Sequence, residues 1–323
     1  MLDRRRHLRW SAMVLSMVFA VTAAGCSSNE PQSSDSGISI VATTTILGDV
    51  ARQIAGGDAE VSVLLPLGAD PHDYRASARQ VAAMRSADLV VANGLDLEEG
   101  LLDVLDSVEA DGANVLRLAE HLDPLPFGGS GLDPHIWLDP LRMADAAGLI
   151  ADELDGLQPA ADWKGRAEAY AAALAGADQD ISGLLASIPD DARLLVTNHD
   201  SLGYFASRYA FEVIGSVIPG GSTLAEPSSA ALAELVAVID SSGVAAIFAE
   251  TTDTADVADS LAAELDREVT VVELYTGSLG DAGSGADTLI GMLVTNASRV
   301  SNALAGSPSG ESAAATVGTT WTG

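Results

Sequence analysis

The chain has 323 residues, enough for two domains, and 48% of them are hydrophobic, enough for real cores. Its formal net charge of −30 would repel phosphate backbones, which excludes nucleic acid as a partner and suits a soluble protein or one that handles cations. The single cysteine, Cys26, excludes a disulfide framework and any thiolate metal site.

Arg4, Arg5, Arg6 and Arg9 precede an apolar run from Trp10 to Ala23 that has signal-peptide length and is short for a membrane span. Residues 1–25 therefore read as a leader to be removed. The segment Ala23-Ala24-Gly25-Cys26 resembles a lipobox, with Ala23 where such boxes prefer leucine. That resemblance implies a diacylated Cys26 as mature N-terminus, and a protein anchored extracytoplasmically to the outer face of the cytoplasmic membrane. The rival reading is an ordinary secreted protein with an incidental cysteine. Residues 26–37 are a flexible tether by composition.

Short apolar runs then alternate with helical segments, the pattern of a parallel βα sheet. Strands are expected at Ile38–Thr43, Val61–Pro66, Asp88–Ala92 and Ala113–Leu118, with helices at Leu47–Ile54, Ala78–Arg85, Leu97–Val108 and Pro140–Leu154. These make an N-terminal lobe over 38–160. In 161–188 the larger apolar residues Trp163, Tyr170, Leu174, Ile181, Leu184 and Leu185 form one stripe of a single long helix, able to span two lobes. The rhythm restarts in a C-terminal lobe over 189–306. Its strands are expected at Arg193–Thr197, Val213–Val217, Val244–Ala249 and Val269–Leu274. Its helices are expected at Leu202–Tyr209, Ser228–Asp240, Ala255–Leu265 and Thr288–Leu304. Residues 307–323 are low-complexity and expected to be disordered.

Five histidines are present: His7, His72, His121, His135 and His199. His135 lies between two Asp-Pro pairs in Gly131-Leu-Asp-Pro-His-Ile-Trp-Leu-Asp-Pro140. His72 follows a predicted strand, and His199 ends another; loops beyond the carboxyl ends of strands are where α/β sheets hold ligands. Spacings of 63 and 64 residues put the three in separate loops, so a shared ion would be bound by tertiary convergence. Imidazole suits zinc especially, and also manganese, iron or copper. Asp73, Asp133 and Asp200 are placed to orient the rings or to turn the chain. The residues alone leave two readings open, a shared metal site or three separate loop histidines. His121 lacks an accompanying ligand pattern, and His7 belongs to the leader.

Three motifs together, Asp70-Pro-His-Asp-Tyr74, Asp133-Pro-His-Ile-Trp-Leu-Asp-Pro140 and Thr197-Asn-His-Asp-Ser-Leu-Gly-Tyr-Phe205, resemble the signature of the zinc/manganese-type solute-binding lipoproteins of bacterial metal ABC transporters. The resemblance runs from about Ile38 to Leu304. It implies two parallel-sheet α/β lobes joined by one rigid long helix, with the metal in the cleft between them. His72 and His135 would come from the first lobe and His199 from the second, and a histidine at this third position tilts the reading toward zinc over manganese. Implied partners are a permease and an ATPase, and the chain itself is expected to be a monomer. The family usually adds an aspartate where Gly277 stands in Tyr275-Thr-Gly-Ser-Leu-Gly280. Glu250 is the first candidate substitute, Asp281 the second and Asp287 a distant third; water is another, and Glu250 reads equally well as an orienting carboxylate.

The expected function is capture of a divalent transition-metal ion for delivery to an importer. Alternatives are a manganese- or iron-binding receptor of the same family, a surface adhesin, or a zinc metalloenzyme. The last is disfavoured because neither a His-Glu-x-x-His motif nor a nucleophile elbow is present.

Overall fold

A computed structural model describes residues 37–305, apart from 128–130, 219, 226 and 253–255. The expected leader, Cys26, the tether up to residue 36 and the tail from 307 lie outside the described residues.

The βα alternation forms two four-stranded sheets, parallel throughout. The first holds β1 (Ile38–Ala42), β2 (Ala59–Val63), β3 (Leu89–Ala92) and β4 (Val115–Arg117) in the order β2-β1-β3-β4. Its helices are α1 (Thr45–Ala55), α2 (Ala78–Ser86) and α3 (Leu102–Ala110), followed by α4 (Pro140–Leu157) and α5 (Trp163–Leu185). The second sheet holds β5 (Leu194–His199), β6 (Glu212–Ile218), β7 (Ala246–Glu250) and β8 (Thr270–Leu274) in the order β6-β5-β7-β8. Its helices are α6 (Gly203–Tyr209), α7 (Ser229–Ser242), α8 (Asp256–Ala263) and α9 (Leu289–Leu304). Each sheet reverses its winding beside its first strand, between β1 and β3 and between β5 and β7. Loops diverge at such a reversal and open a crevice beyond the carboxyl ends of the strands.

Helix α5 has 23 residues, about 34 Å at about 1.5 Å each. It buries Trp163, Ala167, Tyr170, Leu174, Ala177, Ile181 and Leu185, in steps of three and four, so one face is apolar throughout. Leu184, part of the stripe read from sequence, is 37% exposed because it sits about 100° round the helix from Leu185. The buried face packs against α1, α4 and α9.

Helix α9 follows the second sheet in sequence yet returns to the first. Leu289 at its start donates its backbone N–H to Asp49 Oδ2 on α1 at 2.9 Å, with the Tyr170 hydroxyl 3.5 Å from the same oxygen. A carboxylate there satisfies a free N–H and complements the helix dipole. Nearby, Thr45 Oγ1 accepts Leu279 N–H at 3.0 Å, and Ser278 Oγ accepts Gly68 N–H at 2.9 Å. These bonds form a buried seam between the two halves.

Most bounds shift by a residue or a few from the sequence expectation, and two of the shifts have a visible cause. Residues 93–98 make a tight turn, with Leu95 and Asp96 at positive φ, and the helix expected from Leu97 begins as a 3-10 turn at Glu99–Leu101 before α3. The cause is Glu98, whose fully buried carboxylate accepts Asn93 N–H at 2.7 Å, Gly94 N–H at 3.1 Å and the Thr43 hydroxyl at 2.7 Å. The other element is β2, which starts at Ala59 rather than Val61. As an edge strand with one exposed face it accommodates Glu60, which an apolar-run criterion passes over.

Candidate metal site

Two short turns and one strand end bring His72, His135 and His199 together, all buried, with one ring nitrogen of each within 4.8 Å of the others. Among the described residues this is the one such group of histidine, cysteine and acidic side chains.

His135 is fixed most firmly. In Asp133-Pro134-His135 the aspartate Oδ1 accepts the backbone N–H of His135 at 2.9 Å and lies 2.8 Å from its ring Nδ1. The second Asp-Pro pair does something else: Asp139 accepts Leu141 N–H at 2.9 Å and caps α4, whose first residue is Pro140. Between them Trp137 sets its ring edge-on to His135, with centroids 5.3 Å apart, and donates Nε1–H to Thr276 O at 2.6 Å. Asn93 Nδ2 donates to Pro134 O at 2.9 Å, which ties the end of β3 to this turn. Tyr204 of α6 donates its hydroxyl to Asp133 O at 2.7 Å.

His199 ends β5 and Glu250 ends β7, the two strands flanking the winding reversal of the second sheet. His199 Nδ1 lies 2.7 Å from Glu250 Oε1, and the same oxygen accepts the Ser201 hydroxyl at 2.7 Å. On the other side of the ring, His199 Nε2 is 3.1 Å from His135 Nε2. That is close to the edge of about 3.3 Å expected for two nitrogens on a tetrahedral zinc ion with arms of about 2.0–2.1 Å.

His72 stands in the turn Asp70-Pro71-His72, where Asp70 Oδ1 accepts His72 N–H at 2.9 Å. Its ring Nδ1 faces Glu99 Oε1 at 3.4 Å, and that carboxylate side chain is 32% exposed. Its ring centroid lies 5.7 Å from that of His135 and 5.5 Å from that of His199.

The protonation states follow from these neighbours. Burial, reinforced by the positive character of His199, lowers His72 and His135, the latter strongly, so both rings are held neutral as metal ligands require. Burial also works against a charged His199, but the Glu250 carboxylate outweighs it and raises this imidazole. Glu250 in turn is held down to about 2: its burial favours the neutral acid, and the attraction and hydrogen bond of His199 override that. Burial pushes Asp133 up to about 7 against the opposing His135 N–H.

The remaining sequence candidates lie elsewhere. Asp281 and Asp287 are exposed in the loop before α9, where Asp287 accepts Gly283 N–H at 3.1 Å. Asp73 is exposed, and Asp200 is half-buried near Asp133 and His199. Gly277 runs beside the His72 turn: a Cβ there would meet Pro71 Cδ and Thr252 Oγ1, each at 3.1 Å. Sequence reasoning passed over Glu99 as a partner of His72. The two meet because Gly100 donates its N–H to His72 O at 3.2 Å, a contact that no spacing in the sequence announces.

Two parallel α/β sheets bring three buried histidines together from loops of both, and the family match that follows makes the chain a solute-binding component of a transport system. The model of the family described as zinc-uptake complex component A, periplasmic, matches residues 40–303, and the chain belongs to that family. Among its relatives, the manganese-binding lipoprotein MntA of Halalkalibacterium halodurans is 31% identical over 285 residues, covering 87% of this chain and 93% of that protein. The zinc-binding protein TroA of Treponema pallidum is 31% identical over 276 residues, covering 82% of this chain and 88% of that protein. The solved structure of periplasmic zinc-binding TroA superposes with a TM-score of 0.79 at 30% identity, covering 83% of this chain and 99% of that one.

Proposed function

We propose that the chain captures a divalent transition-metal ion between its two lobes, 38–160 and 189–306, and delivers it to the permease of an ABC importer powered by a separate ATPase. The observation that carries this reading is the convergence of three buried imidazoles, with Asp133 and Glu250 close against the Nδ1 of His135 and His199 and Glu99 standing further off, 3.4 Å from that of His72. A carboxylate on one nitrogen fixes the tautomer and leaves the other nitrogen's lone pair for an ion. His72, His135 and His199 would be the ligands. Glu250 would act through His199 rather than as a fourth ligand, because its Oε1 sits at the nitrogen facing away from His135. Asp281, exposed on its loop, would stay outside, leaving the fourth position to water.

Zinc is the proposed cargo. Three imidazoles with no carboxylate oxygen among the gathered ligand atoms make a donor set that zinc favours, whereas manganese prefers oxygen-rich, higher coordination. Manganese is the second reading, favoured by relatives named for it. Residues 161–188 would bridge the lobes. A diacylated Cys26 would tether the protein outside the cytoplasmic membrane; among the described residues no helix is long and apolar enough to cross one.

Stripping the soluble chain, residues 27–323, and titrating it with zinc and manganese in competition tests this proposal. One tightly bound zinc per chain, with weaker manganese, is the expected result. It should raise the melting temperature, since an ion at about 1,000 times its Kd stabilises the folded state by about 4 kcal/mol. Absence of a tight ion, or preference for manganese, would overturn the zinc assignment.

A further inference from the structure

Asp70 uses both carboxylate oxygens, one in each half of the molecule. Oδ1 accepts the His72 backbone N–H at 2.9 Å, and Oδ2 accepts the hydroxyl of Thr223 at 2.5 Å. Thr223 lies 153 residues away, in the loop between β6 and α7. A second hydrogen bond of that loop, Leu224 N–H to Ser222 Oγ at 3.2 Å, is internal to it. Gly221 of the same loop runs close to Phe127, whose Cζ would lie 3.3 Å from an added Cβ.

The His72 turn is therefore held from across the molecule by a hydroxyl, whereas the carboxylate facing its own ring is the partly exposed Glu99 at 3.4 Å. We propose that Thr223 is a positioning residue that acts through Asp70 to hold the His72 turn over the site, so that His72 is the arm that leaves first when the ion departs. The proposal rests on reading the three histidines as the ion's ligands. A bond from hydroxyl to carboxylate is stronger than one between neutral groups, and removing its donor leaves Asp70 Oδ2 without this partner and the turn held only from its own half, by Gly100 N–H on His72 O. His135 and His199 keep their own buried carboxylates and stay in place. Thr223 thus governs how long the ion resides more than how fast it enters.

The test compares Thr223→Val, which removes the hydroxyl at nearly constant shape, with Thr223→Ser, which keeps it. Zinc-loaded protein is mixed with excess chromogenic chelator and the release rate followed by stopped flow; association rates and the apo melting temperature are measured alongside. Thr223→Val should release zinc about tenfold faster, with association unchanged and the apo melting temperature only modestly lower, and Thr223→Ser should behave like the parent. Release from Thr223→Val at the parent rate, or equal acceleration in Thr223→Ser, would overturn the proposal. Failure of the parent to bind zinc at all would overturn the three-histidine reading itself, and this proposal with it.

Discussion

Asp70-Pro71-His72 and Asp133-Pro134-His135 are the same tripeptide folded into the same turn, with the aspartate accepting the histidine N–H at 2.9 Å in both. They differ in where the carboxylate goes next. Asp133 turns back on its own histidine, whose Nδ1 lies 2.8 Å away, and so fixes the ring locally. Asp70 reaches out to Thr223 and leaves the His72 ring to a longer contact with Glu99. One local motif thus yields a rigid arm in one place and a tethered arm in the other, and tertiary surroundings alone decide which.

The largest way to break the comparison is His135→Ala. It removes the rigid arm and should lower metal affinity by more than the about 100-fold ceiling typical of orienting partners, with the apo melting temperature nearly unchanged. Tight zinc binding surviving in that variant, seen by competitive titration, would rule out a shared site. Glu250→Gln keeps the shape beside His199 but weakens its hold, and calorimetric titration should show a loss of about 10–100-fold. An unaltered affinity would make Glu250 a brace between strands and nothing more.

Asp49→Ala asks whether the difference belongs to the turns or to the seam behind them. Losing the acceptor for Leu289 N–H should cost about 1–3 kcal/mol in denaturant unfolding while leaving zinc affinity intact. Burial raises the Asp49 carboxyl above 3.8 in the folded chain despite the opposing Leu289 N–H, so the folded state holds this proton more tightly than the unfolded state. Its contribution to stability therefore grows as pH falls through the folded value and is complete below the unfolded one. Asp49→Ala should accordingly cost more near pH ~4 than near pH ~7, and a cost that shrinks on acidification would contradict the assignment. Glu99→Gln should have the smallest effect, a few-fold at most in affinity, because its contact with His72 is long and partly screened by solvent. A loss as large as that of Glu250→Gln would erase the distinction between the two turns.

The sequence made the βα alternation legible because each strand is a short apolar run beside a helical one, and the positions of His72, His135 and His199 at strand ends or between prolines were readable in the same way. Asp133 was legible as an orienting group because it lies two residues from its histidine. Glu99 was not, since it meets His72 only after the Glu98 turn replaces the first turn of the expected helix. Glu250 was visible as a strand-end carboxylate, but the side of His199 it occupies depends on β7 pairing next to β5, which local pattern does not encode. The same holds for Gly277, whose neighbours Pro71 and Thr252 come from opposite halves of the chain.

The bond between Asp49 and Leu289 joins residues 240 positions apart. A chain made from its N-terminus presents α1 early, yet the amide that meets this carboxylate arrives only with α9. The faces of α1 and α5 that α9 packs against therefore stay uncovered until Leu289–Leu304 has been made. Contacts of such span must meet the entropy of closing a long loop before they are rewarded, so they form late. Cutting the chain before Leu289 should leave a first half that collapses without closing.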